Sequence, residues 1–140
     1  MVDAQKFPYR ITNSSLGLAD RMPYLPLMLS LNSRFLNAEG LLDTGASVNV
    51  LPYELGLQLG LIWDDELLSV GLVGNLARFE ARAIVINAQV GSFPIVDLGF
   101  AWTRASDVPL ILGQANFFLE FEVCFFRARS EFEVRPRQVE

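Results

Sequence analysis

The densest chemistry in the chain is Leu41-Leu42-Asp43-Thr44-Gly45-Ala46-Ser47. An aspartate after two leucines, where a strand should be buried, is costly unless its carboxylate is hydrogen-bonded or shares a proton. Thr44 offers a hydroxyl, and Gly45 permits a tight turn in which backbone amides approach closely. A carboxylate held this way is the raw material of acid–base chemistry. The plainer alternative is a turn that merely joins two strands, since aspartate and glycine are both common turn residues.

What is missing narrows the chemistry further. The sequence has no histidine, which removes Ser-His-Asp and Cys-His nucleophilic machinery, histidine bases and histidine-ligated zinc. A single cysteine, Cys124, forms neither an intrachain disulfide nor a cysteine-cluster metal site. No metal or cofactor is expected. Lysine plus arginine number 11 against 16 acidic residues, a net charge of -5, so binding to a phosphate backbone by overall charge is not expected. The N-terminal stretch, broken early by Pro8, lacks the apolar core of a signal peptide, and no uncharged apolar run approaches the roughly 18 to 20 residues that cross a bilayer. A soluble, cytoplasmic protein with no membrane partner is the expectation.

With 140 residues the chain reads as one domain, 1–140, able to hold a core without staples. Mean hydropathy is +0.32 with 19% charged residues. Either an obligate oligomer or a generous core accounts for that.

The elements that must position Asp43 follow an all-β rhythm: glycine and proline punctuate apolar segments with period-two alternation. Strands are expected over Tyr9 to Ser14, Tyr24 to Asn32, Phe35 to Leu42 and Phe93 to Thr103. Leu67 to Val73 and Leu76 to Asn87 read as arms of a hairpin turning at Gly74-Asn75. A last hairpin joins Phe121 to Arg129 with Glu131 to Arg135, with Phe121, Val123 and Phe125 on one face. Short helices are expected over Pro52 to Gly60, with proline at the first helical position, and over Gln114 to Leu119. Each follows an apolar strand and a glycine, Leu41 to Gly45 and Leu110 to Gly113, about 70 residues apart. The offset suggests two similar halves.

In this context the segment resembles the retropepsin-like aspartic peptidases, the clan of retroviral proteases and pepsin. The family pattern of two apolar residues, Asp-Thr-Gly-Ala and an apolar continuation matches Leu41 to Ser47 followed by Val48-Asn49-Val50-Leu51-Pro52. Its second signature, an apolar strand ending in glycine before a short helix, matches Leu110 to Gly113 with Gln114-Ala115-Asn116-Phe117-Phe118. A glycine-containing flap corresponds to Val70-Gly71-Leu72-Val73-Gly74. The resemblance spans roughly residues 20 to 135 and implies a closed β-barrel-like acid-protease fold with one or two short helices.

For function, the resemblance implies an aspartic endopeptidase acting on peptide or protein substrates. Its catalytic residues are Asp43, Thr44 and Gly45, and its substrate contacts are Ala46, Gly71, Leu72, Val73, Gly74, Leu110 and Ile111. One Asp-Thr-Gly per chain implies a homodimer with one Asp43 from each subunit. The chain continues for about 20 residues beyond the second helix, more like one lobe of pepsin than a retroviral enzyme, and Gln114 stands where retroviral enzymes often carry arginine. Two alternatives from other classes are a catalytically silent dimerisation or peptide-binding module of the same fold, and an unrelated monomeric β-barrel that binds an apolar ligand.

Other conspicuous residues have structural readings. Asp64-Asp65-Glu66 is a solvated loop, because three consecutive side chains do not converge on one ion. Arg127, Arg129, Arg135 and Arg137 are expected to pair across the hairpin with the interspersed Glu120, Glu122, Glu131 and Glu133. Trp63 and Trp102 are core or pocket-lining, Asp107 belongs to a turn, and Cys124 is expected to be a buried small apolar residue.

Overall fold

The computed structural model describes residues 3–13, 19–105 and 107–138. The first expected strand is two strands, β1 (Gln5–Pro8) and β2 (Arg10–Asn13), that flank Tyr9; Ser14 lies outside the described residues. Pro8 has no N–H to continue a ladder, and the buried Tyr9 donates its own to Ser130 O at 2.8 Å. β2 pairs with β3 (Ala19–Met22) as a separate ribbon.

Seven strands build the main sheet: β4 (Tyr24–Leu31), β5 (Arg34–Leu42), β6 (Asn49–Leu51), β7 (Ser69–Val70), β8 (Ala81–Gln89), β9 (Val96–Thr103) and β10 (Leu110–Leu112). Neighbours run β4-β5-β10-β6-β9-β8, and β8 returns to β4, so six strands close a barrel with β7 as an appendage on β8. The β4–β5 hairpin turns at Asn32 and Ser33, both at positive φ (47° and 71°), the mirror-image geometry that matches strand twist. Of the two short helices, α2 (Phe117–Glu120) follows Gly113 closely as expected, whereas α1 (Tyr53–Gln58) is separated from the Gly45 turn by β6 and Pro52. Pro52 sits at the N-cap of α1 instead of its first helical position. A second sheet of order β1-β12-β11 joins β1 to the hairpin of β11 (Phe121–Phe126) and β12 (Glu131–Pro136).

Alternation fills the barrel. Leu25, Leu27 and Leu29 of β4, Ile84 and Ile86 of β8, and Leu98, Phe100 and Trp102 of β9 all point inward and are buried, each worth roughly 1.5–3 kcal/mol on transfer from water. Trp102 stacks on Tyr53 at 5.5 Å and donates its indole N–H to Tyr53 O at 3.1 Å. α1 can lie this close because Gly56 faces the indole: a Cβ there would sit 2.1 Å from Nε1. Trp63 is half-buried, tilted against Trp102 at 5.1 Å, with the Arg82 and Arg104 guanidiniums over its ring.

Three further expectations need correction. The hairpin expected over Leu67 to Asn87 is reduced to two residue pairs, Ser69 with Arg82 and Val70 with Ala81. Between them, Gly74–Leu76 forms a 3-10 turn in which Ala77 N–H donates to Gly74 O and Phe79 N–H to Leu76 O; these local bonds take the amides a ladder would need. The strand expected from Phe93 begins at Val96, since Phe93 closes a turn onto Val90 O with its ring buried. Cys124 is exposed. In β11 the period of two that turns Phe121 and Val123 toward the core turns Cys124 to solvent.

Charge pairing on the last hairpin is partly as expected. Arg135 lies opposite Glu122 and bonds it at 2.8 Å, while Arg129 pairs along the chain with Glu131 and Glu133 meets Lys6 of β1 at 3.6 Å. Asp65 reaches toward Arg82 at 3.6 Å from an otherwise exposed loop. No helix among the described residues is long and apolar enough to cross a membrane.

Candidate active site

The two glycine-ended segments lie side by side. β5 and β10 are parallel and in register, with Ile111 opposite Leu41 and Leu112 opposite Leu42, and the Asp43 N–H continues the ladder onto Leu112 O at 3.0 Å. The chain then turns: Ala46 N–H donates to Asp43 O at 3.1 Å, and Gly45 N–H donates to the carboxylate Oδ1 at 3.0 Å. Two amides thus hold the backbone and side chain of Asp43. Asp43 is half-buried, and its bond to Gly45 N–H lies at the surface.

The segment after β10 grips this turn from the far side. Gln114 N–H donates to Ala46 O at 2.9 Å, and Ala115 N–H donates to Ser47 O at 3.0 Å. The Gln114 side-chain amide reaches Thr44 O at 2.8 Å. Gly113 makes this approach possible, because a Cβ there would stand 2.5 Å from Val48 O and 2.8 Å from Ala46 O, closer than real Cβ contacts allow.

Beneath the turn sits a polar hub that sequence reasoning missed. Asn49 is fully buried; its Oδ1 accepts the Gly113 N–H at 2.8 Å, and its Nδ2 donates to Gly99 O at 2.9 Å and Asn116 Oδ1 at 3.2 Å. Asn116 Oδ1 also accepts the Gly99 N–H at 2.9 Å, and its Nδ2 donates to Asp97 O at 3.0 Å. The network joins the Asp43 turn, β9 and the α2 entrance. A polar residue inside the apolar run Val48 to Leu51 was the available signal, since a buried amide must find partners.

Asp43, Thr44, Gly45 and Ala46 therefore share one turn, with Thr44 and Gly45 exposed. Among the described residues the Thr44 hydroxyl has no hydrogen-bond partner. A mainly apolar groove of about 710 Å³ begins at Val48, just past the turn, and is lined also by Ala115, Asn116, Asp97, Val70, Gly71 and Val85; none of Asp43 to Ser47 lines it. Gly71 is thus brought to the groove next to the site. Leu72, Val73 and Gly74 are not among its lining residues; Leu72 is half-buried, Val73 exposed, and Gly74 starts the 3-10 turn at φ 68°. Leu110 is buried in the core at 3% exposure, whereas its neighbour Ile111 is half-buried, so of that pair only Ile111 has surface to offer. No group of metal-ligating side chains occurs among the described residues.

The backbone has a clear counterpart. A retropepsin-like aspartic protease from Rickettsia conorii matches it with a TM-score of 0.58 over 94% of this chain and 91% of that one, at 16% sequence identity. This chain has the retropepsin-like fold. EIAV protease, solved with the inhibitor HBY-793, is a more distant match at TM-score 0.49 and 19% identity, covering 74% of this chain and 88% of that one. No family model and no curated protein matches the sequence. The retropepsin-like fold here lies in the backbone path, and its Asp-Thr-Gly turn sits at the junction of the two parallel barrel strands.

Proposed function

We propose that the chain is one subunit of a homodimeric aspartic endopeptidase whose dyad is a pair of Asp43 carboxylates. The observation that carries this reading is the Asp43 carboxylate, held by the Gly45 N–H at 3.0 Å at the end of β5 in a retropepsin-like fold. One chain supplies one such carboxylate, so the dyad requires two copies.

Two carboxylates brought close together cannot both ionise easily and share a proton. The ionised member takes a proton from a water lying between them, and the water oxygen attacks the scissile carbonyl carbon. The protonated member hydrogen-bonds and then protonates the carbonyl oxygen. The tetrahedral diol collapses as one of its hydroxyls returns a proton to the second carboxylate, the C–N bond breaks, and the departing amine takes the proton that the first carboxylate had drawn from the water. No step needs a metal or an imidazole. Gly71 to Gly74, in the connector that springs from the short β7–β8 pairing, would cover the substrate and exclude water. The mainly apolar groove that begins just past the turn, with Val48, Val70 and Val85, favours apolar substrate side chains.

The test is incubation of the purified chain with a mixed peptide library from pH 3 to 7, beside Asp43→Ala. Cleavage by the wild type that is absent in the variant supports the endopeptidase. Equal cleavage by both, or none by either, removes it.

A further inference from the structure

The connector between β7 and β8 and the loop between β9 and β10 enclose a second cavity, of about 390 Å³, lined by Leu76, Arg78 and Phe79 on one side and Arg104, Asp107 and Val108 on the other. It shares no lining residue with the mainly apolar groove. The Arg104 N–H donates to Glu80 O at 3.0 Å and ties the two segments together. Val108 stands four residues ahead of Leu112, whose carbonyl receives the Asp43 N–H, so at most roughly 14 Å of extended chain separates the cavity wall from the frame of the Asp43 turn.

Two cations on this wall rest on aromatic rings and lack counter-ions. The Arg104 guanidinium lies over Trp63 at 4.5 Å and over Tyr53 at 5.6 Å, and that of Arg78 lies over Phe79 at 5.0 Å. A ring under a guanidinium limits where it can go, yet takes none of the N–H donors that match a carboxylate. Among the described residues the ion pairs are made by Lys6, Arg10, Arg82, Arg129 and Arg135, and Arg78 and Arg104 have none. Asp65 and Glu80 approach Arg82, the other cation over Trp63, at 3.6 and 3.9 Å. Asp107, the one acid lining the cavity, pairs with neither arginine. A chain of net charge -5 thus keeps two unneutralised guanidiniums in one cavity, where they repel each other until an anion enters.

We propose that this cavity is a subsite for an acidic side chain of a peptide substrate, an aspartate or glutamate about four residues from the bond that is cut, given a rise of roughly 3.3 Å per extended residue. The inference rests on the endopeptidase reading above and adds a charge requirement to it. Arg104, positioned by its two rings, offers the paired donors a carboxylate accepts; Arg78 adds a second charge, and Leu76, Phe79 and Val108 give the methylenes of a glutamate an apolar wall. Because Arg78 rides on the connector and Arg104 follows β9 of the barrel, one carboxylate between them would also draw the connector against the barrel. The apolar groove and this subsite select at different positions of the same peptide.

Two capped ten-residue peptides test this: they share a central Leu-Phe pair, and the flanking residues are glutamates in one and glutamines in the other. The protein as a whole is anionic, so a preference for the glutamate peptide has to come from a local site. Calorimetric titration into Asp43→Asn, which leaves the peptides uncut, should give the glutamate peptide roughly tenfold higher affinity at low salt, a ratio that falls as salt rises. In the same background Arg78→Gln, a change at an exposed side chain, should cut the ratio by about threefold or more, and Arg78→Gln combined with Arg104→Gln should abolish it while the glutamine peptide binds as before. Circular dichroism checks the fold of the double variant, since Arg104 also covers Trp63; if it does not fold, Arg78→Gln alone decides. A glutamate peptide that binds no better than the glutamine peptide, or a ratio that Arg78→Gln leaves unchanged, overturns the subsite. If the wild type then cuts the peptide library without favouring acidic flanks, the endopeptidase survives without it. Arginine-dependent, glutamate-selective binding by a chain that cuts nothing keeps the acidic site and removes the endopeptidase.

Discussion

Asn49 and Gly113 stand 64 positions apart in the sequence and are joined by a 2.8 Å hydrogen bond from the glycine N–H to the asparagine Oδ1. The bond ties the segment after Asp43 to the segment after β10, so the turn that holds the carboxylate depends on a side chain that never touches it. Asn49→Ala leaves the Gly113 N–H and Gly99 O without their partners in a buried site, at a cost of roughly 1–3 kcal/mol for each group left unpaired. Urea unfolding should show a lower midpoint with little change in slope. A midpoint equal to wild type would mean that the hub carries no stability.

Asp43→Asn should separate chemistry from architecture. Asparagine keeps an Oδ1 that can accept the Gly45 N–H, so the melting temperature should stay close to wild type. The proton-transfer role disappears, and peptide cleavage should fall by roughly 10²–10⁴-fold, the range that positioned acid–base groups contribute. Retained activity would assign Asp43 to the turn alone.

Thr44 is exposed in the single chain with its carbonyl occupied by Gln114. If its hydroxyl bonds across the two-fold to the other subunit's turn, Thr44→Val should weaken the dimer by about 1 kcal/mol per lost bond, while Thr44→Ser should retain most affinity and activity. Equal dissociation constants for wild type and Thr44→Val, measured by sedimentation equilibrium, would deny the hydroxyl a place in assembly.

Gly113→Ala should be the harshest small substitution near the site. Its new methyl meets backbone oxygens of Val48 and Ala46, which cannot rotate away, so overpacking should cost on the order of 3 kcal/mol. Any protein that still folds should lose cleavage even well below its own melting temperature, because the strain falls on the Asp43 turn. Wild-type stability would show that the two segments have more slack than their 2.5 Å approach allows.

A shared-proton dyad gives kcat/KM a bell-shaped pH profile that belongs to the pair, with its maximum on the acidic side of neutrality. That window overlaps the pI near 4.7, where loss of net charge promotes precipitation. Rates therefore have to be divided by the soluble dimer at each pH. A corrected profile that still climbs from pH 5 to pH 9 would be incompatible with two carboxylates as the catalyst.

Local signals in the sequence carried well. The alternation of β4 and β5 and the turn at Asn32 and Ser33 needed only neighbouring residues, and the 70-residue offset between Leu42 and Leu112 is the register in which they pair. What failed depended on competition between local and distant bonds. Gly71 and Gly74 suit a hairpin turn, yet the i to i+3 bonds at Ala77 and Phe79 absorbed the amides of the upper arm. Asn49 was passed over because nothing near it in sequence announces its partners, which come from Gly99, Gly113 and Asn116. Cys124 is a different case: placing Phe121, Val123 and Phe125 on the inner face already sent it outward by parity.

The parallel contact of β5 with β10 also sets a timetable for synthesis. β4 and β5 can meet as soon as their hairpin emerges, but the ladder that receives the Asp43 N–H at Leu112 O, and the clamp from Gln114 and Ala115, lie some 70 residues downstream. Contacts this distant along the chain close late, after the loop entropy between them has been overcome. A nascent chain released before Leu112 carries the aspartate without the frame that orients it. The Asp43 turn therefore takes its final shape only once Leu112, Gln114 and Ala115 have joined it.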